Sequence, residues 1–148
     1  MKIFNIFNKK QFKENNLNYY NMASNLVTVF NNHFEEFIND IQAVFPEDPD
    51  ILTAKNALAT MRKANPKLLS KIWVAYVVNP YAAQIEAGDI SFFIDKDYSS
   101  DVSKSDNSEK IMEAIDRLRG PIKQMSPDNQ EKTMKYIQNL TKLSRMIQ

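Results

Sequence analysis

His33 is the only histidine in the chain, and there is no cysteine. Nucleophilic catalysis by thiolate and cysteine-based zinc sites are therefore excluded, and any triad or imidazole ligand would have to use His33. No nucleophile motif stands near it. On a helical wheel it falls at the border of an apolar stripe, beside Leu26 and Val44, so it reads as a half-buried, hydrogen-bonded structural histidine. Paired carboxylates at Glu35/Glu36 and Asp95/Asp97 have the right groups for acid–base work, yet nothing accompanies them. The expectation is that the chain is not an enzyme and needs no cofactor.

A second candidate is a cation loop. Asp95, Asp97, Ser99, Asp101 and Asp106 occupy positions 1, 3, 5, 7 and 12 of an EF-hand pattern, with apolar Val102 at position 8. Oxygen ligands at this spacing suit a hard cation such as calcium. Ser100, however, stands where the sharp turn needs glycine, and Asp106 replaces the longer bidentate glutamate. The preferred reading is a solvated loop whose last residues cap the following helix.

Basic residues form the third candidate. Arg62, Lys63, Lys67 and Lys71 cluster at the Asn65-Pro66 corner, and Lys132, Lys135, Lys142 and Arg145 share one face of the final segment. Either set could contact phosphates or an acidic protein partner. Met1–Phe12 interleaves Ile3, Phe4, Ile6, Phe7 and Phe12 with lysines, as a short amphipathic arm would. Such an arm binds a membrane surface, docks on another chain, or folds back on its own core.

Elements to position these residues can be read from periodicity. Tyr19, Tyr20, Ala23, Leu26, Val27, Phe30, Phe34, Phe37, Ile38, Ile41, Val44 and Phe45 recur at helical spacing. They predict one long amphipathic helix over about Leu17–Phe45, roughly 42 Å long and ended by Pro46 and Pro49. Asp48-Pro49 opens a second helix, running to about Ala64 through Ile51, Leu52, Leu58 and Met61. Asn65-Pro66 starts a third, with Leu68, Leu69, Ile72, Trp73, Tyr76 and Val77. It is apolar almost all round after Lys71 and should be central, with Trp73 buried. Asn79-Pro80 kinks it or begins a short helix that stops at Gly88. Asp89 is expected to cap a short helix over Ile90–Ile94. A further helix spans Ser108–Arg119, closed by Gly120-Pro121, and Ser126-Pro127 caps the last.

Two glycines in 148 residues argue against Rossmann, P-loop and hairpin-rich folds. No apolar run approaches the roughly 18 residues of a membrane span, and residues 1–13 are too interrupted for a signal peptide. The expected architecture is an all-α compact bundle of five or six helices with one long N-terminal amphipathic helix. Residues 1–14 form the arm and 15–148 a single domain. The formal charge of +1 hides segregated blocks: acidic over 35–50 and 86–116, basic over 51–85 and 117–148. Such blocks imply complementary packing of neighbouring helices, or a basic patch for an acidic partner.

The stretches MRKANPKLLSKIW, QIEAGDISFFIDKDYSSDV, NSEKIMEAIDRLRGPIKQM and MKYIQNLTKLS resemble uncharacterised small helical proteins of large DNA viruses that infect algae and other protists. The resemblance covers roughly residues 35–145 and includes no catalytic signature. It implies a protein made in infected host cytoplasm and a candidate for packaging in the virion, and it carries over no functional residue. The leading expectation is a non-catalytic structural or interaction protein that docks helical faces onto other protein chains, viral or its own copies. The alternative is a nucleic-acid-associated protein using the basic corner and the last helix.

Overall fold

The structure, a computed structural model, describes residues 12–95 and 106–147. It is helical throughout these residues, with α1 (Phe12–Val44), α2 (Pro49–Ala64), α3 (Leu68–Trp73), a π-helical turn (Val74–Val78), α4 (Asn79–Ala87), α5 (Ser91–Ile94), α6 (Asp106–Lys123) and α7 (Pro127–Ile147). Because α3, the π-turn and α4 run on without a break, there are six helical segments among the described residues. The all-α bundle is as expected. Residues 1–11, which hold the docking-arm candidates Ile3, Phe4, Ile6 and Phe7, lie outside the described residues, as do residues 96–105 of the candidate cation loop.

Helix α1 has 33 residues, about 50 Å at the α-helical rise, and starts five residues before the expected Leu17. Val27, Phe30, Phe34, Phe37 and Ile41 bury the i, i+3, i+7 stripe that periodicity implies. Val44 does not join it and is 40% exposed at the last turn. In α2 the inward stripe is Ile51, Ala54 and Leu58. Leu52, counted as core from its type, sits about 100° round the helix from Ile51 and is left exposed. The N-terminus of α2 forms as anticipated, with the Asp48 carboxylate accepting from the backbone N–H of Asp50 at 2.8 Å and of Ile51 at 3.4 Å.

Two helix pairs make the bundle: α1 packs chiefly on α7, and α2 on α6. Helix α3 touches all four, so it is the central helix that its apolar surround predicts. Trp73 is completely buried there. Its ring stands edge-on to Phe34 of α1 with centroids 5.5 Å apart, and its Nε1–H donates to Thr141 Oγ1 of α7 at 3.4 Å. The Thr141 hydroxyl in turn donates to the Ile137 carbonyl at 2.8 Å, so a buried threonine is satisfied on both sides.

Pro80 explains the irregular middle of this helix. Lacking an N–H, it cannot bond the Tyr76 carbonyl, and its ring crowds the preceding turn. The backbone answers on both sides. Upstream, Asn79 N–H reaches back to the Val74 carbonyl as a π-turn; downstream, Tyr81 leaves helical geometry at φ −127°, ψ 24°. Gly88 then ends α4 at φ 74°, with Asp89 N–H on the Gln84 carbonyl at 2.9 Å, a Schellman closure. Gln138 of α7 donates to the Ile85 carbonyl at 3.0 Å, which also accepts the Gly88 N–H at 3.1 Å. The short helix α5 forms as expected, with Ile90 at its N-cap and the Asp89 carboxylate, one residue earlier, accepting from Ser91 N–H at 3.0 Å.

The end of α6 departs from expectation. The helix does not close at Arg119 but passes through Gly120-Pro121 to Lys123. Gly120 has no Cβ to meet the proline ring, which is the clash that makes a pre-proline residue avoid helix. Pro121, Ile122 and, beyond the helix, Met125 are all buried, so apolar burial holds the added turn. Gln130 of α7 then donates to the Ile122 and Lys123 carbonyls at 3.2 and 3.3 Å, adding to the Met125 N–H that Ile122 already accepts and helping to satisfy the helix end.

Trp73→Ala should cost on the order of 3–5 kcal/mol, as truncation of a large core aromatic does, and the wild-type emission should be blue-shifted. A solvent-like maximum or an unchanged urea midpoint would contradict the placement. At Gly88 a Cβ would lie 3.8 Å from Gln138 Nε2, an ordinary contact. Gly88→Ala should therefore lose only about 1–2 kcal/mol from left-handed backbone strain, measured by the same unfolding curves.

Candidate functional site

His33 lies half-buried on α1, its Nδ1 3.4 Å from the Glu36 carboxylate. Its ring is 4.9 Å from that of Tyr136 on α7. The Tyr136 hydroxyl donates to Asp40, and Phe37 packs on the same ring at 5.3 Å. Residues 33, 36, 37 and 40 thus present one face to one tyrosine. Burial, then the hydrogen bond and negative charge of Asp40, then the charge of Glu36, push the Tyr136 phenol up to about 12. A phenol that holds its proton so firmly donates to a carboxylate and opposes use as a base or nucleophile. The cluster ties α1 to α7. The link from Tyr136 to Asp40 was not foreseen from the sequence. The available signal was the i, i+3, i+7 set His33, Glu36, Asp40 beside Phe37.

The eight basic residues singled out from sequence are divided by the fold. Arg62 bridges α2 to α1, with its guanidinium 3.0 Å from Glu35 Oε2 and 2.6 Å from Asn32 Oδ1. One acidic block therefore does neutralise part of the basic corner. Arg117 repeats the pattern between α6 and α2, meeting Asp50 at 2.8 Å. Lys63, Lys67 and Lys71 stay exposed, and no acid among the described residues pairs with them. Lys132, Lys135, Lys142 and Arg145 are likewise exposed along α7. Of the cation-loop residues, Asp95 ends α5 and lies 3.6 Å from Lys123 Nζ, and Asp106 begins α6. Among the described residues no group of three or more His, Asp or Glu side chains is placed to hold a metal.

What sequence reasoning did not foresee is a groove of about 560 Å³ along the seam between the helix pairs. Its walls are two helices: Thr28, Asn31, Glu35 and Ile38 on α1, and Lys55, Ala59, Arg62 and Lys63 on α2. Phe34, Leu58 and Leu69 form an apolar floor, and Pro66 closes one end. The volume is that of a ligand or side-chain-binding cleft. Asn31 is buried in the wall and donates through Nδ2 to the Pro66 carbonyl at 2.8 Å. Its Oδ1 has no donor among the described residues, a deficit of about 1–3 kcal/mol. No local pattern announces such a groove, because it arises where α1 and α2 diverge onto different partners.

No helix among the described residues is long and apolar enough to cross a membrane. No family model matches the chain, and neither the curated proteins nor the solved structures searched contain a match.

In an alkaline absorbance titration one tyrosine should ionise near pH 12, and Asp40→Asn should bring it down toward 10. The folded phenol lies above its ordinary value of 10.0. The stability contributed by the tie is therefore complete below pH 10 and lost as pH rises through about 12. Titration of every tyrosine near 10 in the folded protein would contradict the cluster.

Proposed function

We propose that the chain is a non-catalytic interaction protein that works by docking helical faces onto other protein chains. The α1/α2 groove is the observation that carries this reading. It offers an apolar floor between two helical walls, the form that recurs where proteins bind helices. Lys63 and Lys67 leave positive charge at its end that no acid among the described residues pairs with. On the resemblance to proteins of large DNA viruses, the reading extends to a component made in infected-cell cytoplasm and packaged in the particle.

A second reading, contact with nucleic acid, is favoured by the exposed Lys63, Lys67 and Lys71 and by the lysine face of α7. Against it stands Glu35 on the same rim, with Arg62 committed to that carboxylate rather than to a phosphate.

Salt separates the two readings. Phosphate contacts release counterions, so nucleic-acid affinity falls steeply between about 50 and 200 mM salt, whereas apolar docking responds little. Fluorescence anisotropy with duplex and single-stranded DNA and RNA should show no binding that persists at about 150 mM salt. A protein partner recovered by affinity purification should remain bound over the same range. Tight, salt-steep nucleic-acid binding that Lys63, Lys67 and Lys71→Gln abolishes in a folded variant would reverse the order.

A further inference from the structure

We infer, building on the docking reading, that the groove takes an acidic amphipathic helix of a protein partner, with carboxylates about two turns apart that meet Lys55 and Lys63. The walls set the shape. On α1 the lining residues Thr28, Asn31, Glu35 and Ile38 repeat at i, i+3, i+7 and i+10, a ridge about 15 Å long. That length matches three turns of a third helix. Ala59 lies exposed in the opposite wall, and its small side chain lets another helix backbone come close.

Charge selects the occupant. Among the described residues Lys55 has only neutral Gln42 as a polar partner, at 3.1 Å, and Lys63 has none. The two lysines are eight residues apart on α2, about 12 Å along its axis. The one acid in the lining, Glu35, already has its charge offset by Arg62 at 3.0 Å. The rim is therefore net positive, and carboxylates gain most from it. The chain's own residues 1–13 carry four lysines and no acid, so like charge disfavours them here. A second copy meeting groove to groove would set two net-positive rims against each other. A nucleic acid strand would satisfy the lysines but leave the apolar floor unfilled beside Glu35.

The test uses the full chain and three synthetic peptides of about four turns. All share one apolar stripe at i, i+3/i+4 and i+7. One carries Glu two turns apart on the flank, one carries Lys there, and one is a scramble of the first. Anisotropy should show the Glu peptide binding at least ten-fold tighter than the Lys peptide, with no binding of the scramble. Ala59→Arg, a solvent-facing change that fills the groove, should abolish binding while circular dichroism and the melting curve stay unchanged. Lys55→Glu with Lys63→Glu should reverse the preference toward the Lys peptide. Equal binding of the Glu and Lys peptides, binding that survives Ala59→Arg, or no binding near millimolar concentration would each overturn the proposal. So would an oligonucleotide that binds wild type and is lost with Ala59→Arg. A photo-crosslinker placed at Ala59, compared with one at Thr53, also exposed and about 120° round α2, separates the two levels. A protein partner that the wild type binds but that crosslinks only from Thr53 sinks this occupant and leaves the docking reading standing. The absence of any protein partner sinks both.

Discussion

Trp73 fixes the geometry on which the rest of the molecule depends. Its indole sits where α1, α3 and α7 meet, edge-on to Phe34 and hydrogen-bonded to Thr141. A buried indole N–H without a partner would carry a desolvation penalty of a few kcal/mol, so Thr141 has to face α3 at this level. That requirement sets the rotation of α7 about its own axis. Once α7 is set, Ile137 and Leu140 enter the core and Tyr136 comes round to Asp40. The two helix pairs are then bridged by α3, which alone touches all four long helices, beside the direct contact of α1 with α2.

The same arrangement produces the seam. Helix α2 commits its buried stripe to α6, and α1 commits its own to α7. Between α1 and α2 the contact is narrower, with Arg62 crossing it to Glu35 and Asn32. A groove remains with an apolar floor and a polar strap. Binding capacity in this fold is thus a consequence of how the core is divided, and it lies far in sequence from any recognisable motif. Helix ends elsewhere are finished by side chains of α7, Gln138 on α4 and Gln130 on α6, which couple that helix to the positions of its neighbours.

Much of this architecture was legible in the residues. The stripe of α1, the Asp48 cap, the Gly88 stop and the burial of Trp73 all follow from local spacing and backbone chemistry. Gly120-Pro121 misled because the dipeptide usually ends a helix, and the burial of Pro121 and Ile122 is a tertiary fact that outweighs that preference. Leu52 misled because residue type was counted without strict angular bookkeeping, and Val44 because helical spacing does not show that the last turn of α1 runs past the core. The basic corner was found as a set of residues but not as a site. Which of its cations are free depends on Glu35 and Asn32, some thirty positions away in the chain, and no pattern within α2 encodes that. The groove is a void between elements, and voids have no sequence signature at all.

The central claim is that α3 joins the two pairs, and residue-resolved native-state hydrogen exchange tests it most directly. If α3 is the link, the amides of Leu69–Val77 should exchange only through global unfolding. They should share one opening free energy with α1 over Phe30–Ile41 and with α7 over Thr133–Ser144. Opening of Leu69–Val77 well below the global free energy, with α1, α2, α6 and α7 still protected, would show that the pairs hold together without it and would contradict the account.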